Sequence, residues 1–281
     1  MHLFKVRQVS ALFCVIFAIS AVALIQSHVS ANTLFSGCGG ELVEPTNSAF
    51  EAQVVELVNQ QRLAQRLPPL KLSTELAYAA RYHAADMVQD RYFNHDSFDR
   101  SADGLLLACS WFERMQVYYP LTQAAENIAA GYATPQDVVN GWLNSVGHRQ
   151  NLLSANWETG VGYHQSRWVQ DFSRRDGVFP VVINREAATT TTAEVTLYIY
   201  GDWAEMRLRN DGGEWSVWQA FTSEPTWQLN PSAGLRTVEV ELRKGTAQTI
   251  SSDTIELTLA GNPTETPAPT ETPTAVPTSE R

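Results

Sequence analysis

The stretch from Ala125 to Tyr163, AENIAAGYATPQDVVNGWLNSVGHRQNLLSANWETGVGY, constrains the fold of this chain more than any other, because it delivers a carboxylate, a helix and a histidine in quick succession. Thr134 reads as a helix N-cap, Pro135 as the first helical residue and Asp137 as an acid three positions after the cap. Val138, Val139, Trp142 and Leu143 follow at helical spacing. Gly147 reads as the stop, since a residue without Cβ takes the left-handed conformation that many helix ends need. That places His148 just beyond a helix. Glu126 and Asn127 lead into Ala129, Ala130 and Gly131, read as a small-residue loop at the rim of the same cleft. His95, in RYFNHDS, falls after a long helical pattern and before a polar loop. Two imidazoles and one carboxylate on three loops make a metal or acid/base cluster.

Six blocks, LVNQQR, PLKLSTELAYAARYHAADM, YFNHDS, ENIAAG, VVNGWLNSVGHRQNLL and GVGY, occur in an order that resembles the CAP superfamily of cysteine-rich secretory, antigen-five and pathogenesis-related proteins, in its bacterial SCP-like branch. The resemblance runs from Phe50 to Ser173, somewhat under half of the chain. It implies an α-β-α sandwich with an antiparallel sheet between helical layers. It also implies a cleft of two histidines and up to two glutamates, which fall here on His95, His148 and Glu126. Ser145 stands where eukaryotic members often carry the second glutamate, and Ala125 where a glycine commonly precedes the Glu-Asn pair. A mechanism needing two glutamates is therefore in doubt.

With 281 residues, about two domains are expected. A formal charge of -10 argues against a nucleic-acid-binding surface, which needs clustered cations to displace counterions from phosphates. Lys5 and Arg7 precede an apolar run from Ala11 to Ile25 and the small-residue site Val29-Ser30-Ala31, the pattern of a secretory signal peptide cleaved after Ala31. An uncleaved anchor is the alternative, as is acylation at Cys38, although that cysteine lies well past the apolar run. Cleavage leaves no stable transmembrane segment and makes the protein secreted or cell-surface associated. It also removes Cys14 and leaves Cys38 and Cys109, an even pair that favours a disulfide in an oxidising compartment. Two free thiols or a catalytic cysteine are the other readings.

Along the chain, Ser48 and Glu51 read as a capping box for an amphipathic helix with Phe50, Val54, Leu57 and Val58 on one side. Ser73 caps a second helix, and His83 lies near its apolar face as a packed, hydrogen-bonded histidine. Residues 99–122 look irregular. Gly160–Tyr163 and Trp168–Phe172 read as strands joined by a turn that includes His164. From Glu194 the period changes to two: Val195, Leu197 and Ile199, then Val238, Val240 and Leu242, then Ile255, Leu257 and Leu259 alternate with polar residues. This predicts a small immunoglobulin-like β sandwich. Its tryptophans, Trp203, Trp215, Trp218 and Trp227, are read as core and inter-sheet packing, with a carbohydrate-stacking face as the alternative.

The expected class is α+β. The expected organisation is a signal peptide over 1–31, a leader over 32–47, the CAP domain over 48–184, a linker over 185–193, the immunoglobulin-like domain over 194–261 and a disordered Thr/Pro-rich tail over 262–281. No phosphate loop, H-E-x-x-H helix or paired C-x-x-C site occurs. Ser145 and His148 lack the strand and first glycine of a nucleophile elbow. Two readings of function follow. In the first, the protein is an extracellular binding module for a lipid, a glycan or a surface protein, with zinc or another divalent metal as a cofactor of the cleft. In the second it is a metal-dependent extracellular hydrolase, in which His95 and His148 hold the metal and Glu126 is general base.

Overall fold

The structure is a computed structural model and describes residues 35–258; the signal peptide and tail expectations lie outside the described residues. The first part of the chain forms α1 (Ser48–Ala64), β1 (Lys71–Leu72), α2 (Thr74–Gln89), β2 (Ser97–Ser101), β3 (Gly104–Cys109), α3 (Trp111–Tyr118), β4 (Gln123–Ala130), α4 (Pro135–Asn144), α5 (Val146–Leu152), β5 (Glu158–His164) and β6 (Arg167–Arg174). The central sheet has the order β1-β5-β6-β4, with β4 on one edge. Strand alternation sends successive side chains to opposite faces. Ala129, Val161, Trp168 and Phe172 meet Val54, Val55 and Val58 of α1 and Val138, Val139 and Trp142 of α4 on one face. Ile128 and Val169 meet Ala80, Ala84 and Met87 of α2 on the other. The result is helix, sheet and helix in three layers.

Glycine sets how closely α2 approaches the sheet. A Cβ at Gly160 would lie 2.1 Å from the backbone nitrogen of Ala77, and one at Gly162 would lie 2.3 Å from the carbonyl carbon of Ala80. The helix therefore rests directly on the β5 backbone. Between β5 and β6 the turn residues Gln165 and Ser166 both adopt positive φ, 44° and 62°, as a two-residue hairpin loop requires.

The rest of the described chain is β7 (Val181–Ile183), β8 (Thr189–Thr190), β9 (Glu194–Ile199), β10 (Glu205–Asn210), β11 (Gln219–Ala220), β12 (Thr226–Gln228), β13 (Gly234–Lys244) and β14 (Ala247–Leu257). These strands make a sheet of order β11-β10-β13-β14-β8 and a smaller one of order β12-β9-β7. Val195, Leu197, Ile199, Met206, Leu208, Val238, Val240, Leu242 and Ile255 fill the core between them. Val181–Ile183, expected inside the CAP domain, pairs with β9, and the expected linker contains β8, which pairs with β14. Of the tryptophans, Trp203 and Trp227 pack against this core. Trp215 lies 4.3 and 5.0 Å from the guanidiniums of Arg209 and Arg207, and Trp218 lies 4.7 and 3.9 Å from those of Arg207 and Arg243. Each arginine is paired in turn with an acid, Glu239, Glu241 or Glu205. These two rings therefore spend their faces on arginines of their own sheet, which weighs against a carbohydrate-stacking role.

Several local expectations change. Asn47, not Ser48, caps α1 by accepting from the Phe50 N–H, and Glu51 instead pairs with Arg81 of α2 at 2.8 Å. Residues 99–122 are ordered as the β2–β3 hairpin and α3, and α3 begins with a true capping box between Ser110 and Glu113. Cys38 and Cys109 form a disulfide that ties the leader to the end of β3. No helix among the described residues is long and apolar enough to cross a membrane.

Candidate functional site

Glu126 lies on β4, not on a loop, and its partner across the sheet is Asp171 of β6. As an inward residue of an edge strand it is buried, with only 1% of its side chain exposed. Both carboxylate oxygens are engaged: Oε1 accepts from His95 Nδ1 at 2.7 Å, and Oε2 pairs with Arg114 of α3. The Arg114 side chain is fully buried, and its Nη1 also donates to the His95 carbonyl at 2.9 Å and to Ser97 Oγ at 3.1 Å. One guanidinium thus holds the carboxylate and the backbone of the histidine that the carboxylate orients. Burial alone would raise the Glu126 carboxyl, but the Arg114 charge and the His95 hydrogen bond outweigh it and hold the pKa down to about 2. An ionised Glu126 only accepts hydrogen bonds, so His95 carries its proton on Nδ1, and the neutral ring has its lone pair on Nε2.

His148 enters from the other layer. The helix begun at Pro135 stops at Asn144 rather than at Gly147, and Ser145 is an extended residue between α4 and α5. Gly147 and His148 lie in the first turn of α5. His148 is therefore at a helix start and not beyond a helix end, and the dipole at a helix N-terminus disfavours a cation. Partial burial lowers the His148 pKa, and the nearby charge of His95 lowers it further. The segment is tied to the site by Asn127, which donates to the His148 carbonyl at 3.2 Å, and by Asn151, which donates to the Glu126 carbonyl at 3.1 Å and to Asn127 Oδ1 at 2.9 Å. Because β4 is an edge strand, groups from both faces of the sheet converge around it.

Of the three residues expected from the sequence, His95 and Glu126 are in direct contact, while His148 is held nearby through its backbone carbonyl by Asn127, the neighbour of Glu126. His83 is not a surface member: it is fully buried, with Nε2 at 2.8 Å from the Asn94 carbonyl, and burial holds its pKa down at about 3. Ser145 makes no side-chain cap hydrogen bond to α5. Arg114 was missed, yet the Ser110-x-x-Glu113 pattern just before it announces a helix that would have delivered it. Cavities form elsewhere. One of about 420 Å³, lined by Leu63, Arg66, Pro68, Val182, Arg185 and Tyr198, lies where α1 meets the second part, and no site residue lines it.

Comparison with known proteins finds relatives for the first part of the chain. Residues 55–172 match the family model CAP, the Cysteine-rich secretory protein family. A Bacillus subtilis protein named YkwD is 40% identical over 129 residues, covering 44% of this chain and 47% of the relative. The B. subtilis membrane protein YlbC is 31% identical over 153 residues, covering 48% of this chain and 40% of the relative. The chain thus spans about half or less of the length of these relatives. A crystal structure of a Bacillus anthracis extracellular protein containing a SCP domain aligns at 31% identity with a TM-score of 0.41, covering 47% of this chain and 45% of that one.

Proposed function

Residues 55–172 of this chain are a CAP domain of the cysteine-rich secretory protein family, and on that premise we propose that the domain is an extracellular binding module whose cleft presents two imidazoles to its ligand. The observation that carries this reading is the burial of Glu126 against His95 and Arg114. A general base needs a basic carboxylate facing a water, whereas Glu126 is buried, bound to His95 and Arg114, and held at a pKa of about 2. The hydrolase alternative loses its base.

The residues fit a divalent metal in a limited way. A ligating histidine ordinarily donates its second ring N–H to a carboxylate, which fixes the tautomer, and the His95–Glu126 pair has that form. His148 is half-buried and near enough to His95 for the two charges to interact. Among the described residues, however, no three His, Cys, Asp or Glu side chains are gathered as a metal-holding group. Zinc held by His95 and His148 would have fewer protein ligands than the three usual at catalytic sites, so an oxygen-bearing ligand would complete its shell. A lipid headgroup, a glycan or a protein surface each offers such oxygens. The disulfide accords with an oxidising, extracellular setting. We read the β strands after β6 as an appended immunoglobulin-like module, and the Thr/Pro-rich tail as a spacer.

Titration of the full chain with zinc at neutral pH tests the reading. One site is expected, lost in His95→Ala and in His148→Ala with the circular dichroism spectrum unchanged. Absence of binding by the wild-type chain overturns the metal-dependent form and leaves a metal-free cleft.

A further inference from the structure

Behind Glu126 lies a second carboxyl group. Asp171 is fully buried, and it is the register partner of Glu126 in the β4–β6 pair, so the two side chains occupy the same face of the sheet. Neither Asp171 oxygen accepts a hydrogen bond from any donor among the described residues. The charged groups facing it are Glu126 from β4 and Arg114 from α3; β5 offers only Gly160 at its side, and His83 of α2, near Glu126, is kept neutral by burial. There are two acids and one fixed cation, and Arg114 is already bound to Glu126.

We propose that Asp171 is a positioning residue of the cleft, a carboxylic acid that stays protonated and donates its O–H to the Glu126 carboxylate. Glu126 then accepts three hydrogen bonds, from His95, Arg114 and Asp171, and has no freedom to rotate away from the imidazole. Two ionised carboxylates side by side in a buried site repel each other, and a shared proton is the ordinary resolution. Burial raises the Asp171 carboxyl well above its usual range, and the Glu126 charge raises it further. An apolar residue in this place would leave Glu126 with one hydrogen bond fewer. An ionised one would compete with it for Arg114. The role is tied to the binding reading of the cleft, but the protonation is measurable without any ligand.

The experiment follows the carboxyl-carbon NMR resonance of Asp171 in the full chain, assigned with Asp171→Asn, together with the imidazole nitrogen signals of His95. The Asp171 resonance is expected to stay at its protonated position as pH is raised through about 4, where an ordinary aspartate titrates, and on to neutrality. Asp171→Asn, whose amide N–H replaces the lost donor, is expected to keep His95 protonated at Nδ1. Asp171→Leu, which has no donor, is expected to increase exchange between the two His95 tautomers. Titration of Asp171 in the ordinary range overturns the proposal, and so does a His95 spectrum in Asp171→Leu identical to that of the wild type. Should Asp171→Leu fail to fold, the Asp171 titration decides alone. Failure of zinc binding with Asp171 still protonated would count against the metal-dependent form of the binding reading only.

Discussion

Arg114 and Glu126 form the most demanding pair of side chains in the molecule, since both are removed from water and each is the other's charge partner. Taking away one member of a buried ion pair strands the other, a loss of about 3–5 kcal/mol. Glu126→Ala is expected to show a loss of that size in chemical denaturation, and to release His95. Asp171 makes stability depend on pH. Its folded pKa is raised, so between the unfolded value of about 3.9 and the folded one the native state holds a proton that the unfolded state has lost. Stability therefore falls as pH rises through that window. Asp171→Asn cannot ionise in either state, so its stability relative to the wild type is expected to increase steadily above about pH 4. A constant difference across the window would mean that Asp171 ionises normally in the fold.

The elements show what the sequence does and does not make legible. Helix caps at Ser73 and Thr134 and the strand pair around Gln165 and Ser166 follow from local chemistry, and the structure has them in place. His95 and His148 stand out in the sequence because the ordered blocks around them do. The misreadings have physical causes. The run of alanines after Glu126 carries no strong period, so nothing local shows that it is a strand; pairing with β6 decides that. Gly147 looks like a helix stop, but the break comes two residues earlier, where Ser145 turns extended. Asp103-Gly104 and the Ser110 cap were available signals for the hairpin and α3. Two consequences are measurable at this scale. Gly162→Ala would push a methyl into the α2 backbone, which cannot step aside as a side chain can, so a cost at or above the roughly 1–3 kcal/mol of ordinary overpacking is expected in a denaturant melt. Cys109→Ser unties the leader from β3 and is expected to lower stability by about 2–5 kcal/mol, read from the unfolding midpoint.

At the scale of the whole described chain, the CAP layers and the strands after them are joined by specific contacts. Lys71 of β1 pairs with Glu186 and with Asp253 of β14, the Tyr200 hydroxyl donates to the Pro69 carbonyl at 2.7 Å, and Trp157 stacks on Tyr200 with ring centroids 4.8 Å apart. Asn59 of α1 donates to the Arg185 carbonyl at 3.0 Å. Backbone held in this way is a poor protease substrate, because cleavage requires local opening. The segment 185–193 is accordingly expected to resist limited proteolysis as long as the sheets do, and heat is expected to unfold the two parts in one transition. Early nicking there, or two separate transitions, would show that the junction is loose.

The central claim is that Glu126 is an orienting carboxylate and not a base, and the tautomer of His95 tests it most directly. Imidazole nitrogen NMR on the full chain at neutral pH is expected to find the proton on His95 Nδ1, in slow exchange with water, and to lose that protection in Glu126→Gln. A proton on Nε2, or a His95 spectrum untouched by Glu126→Gln, would contradict the account.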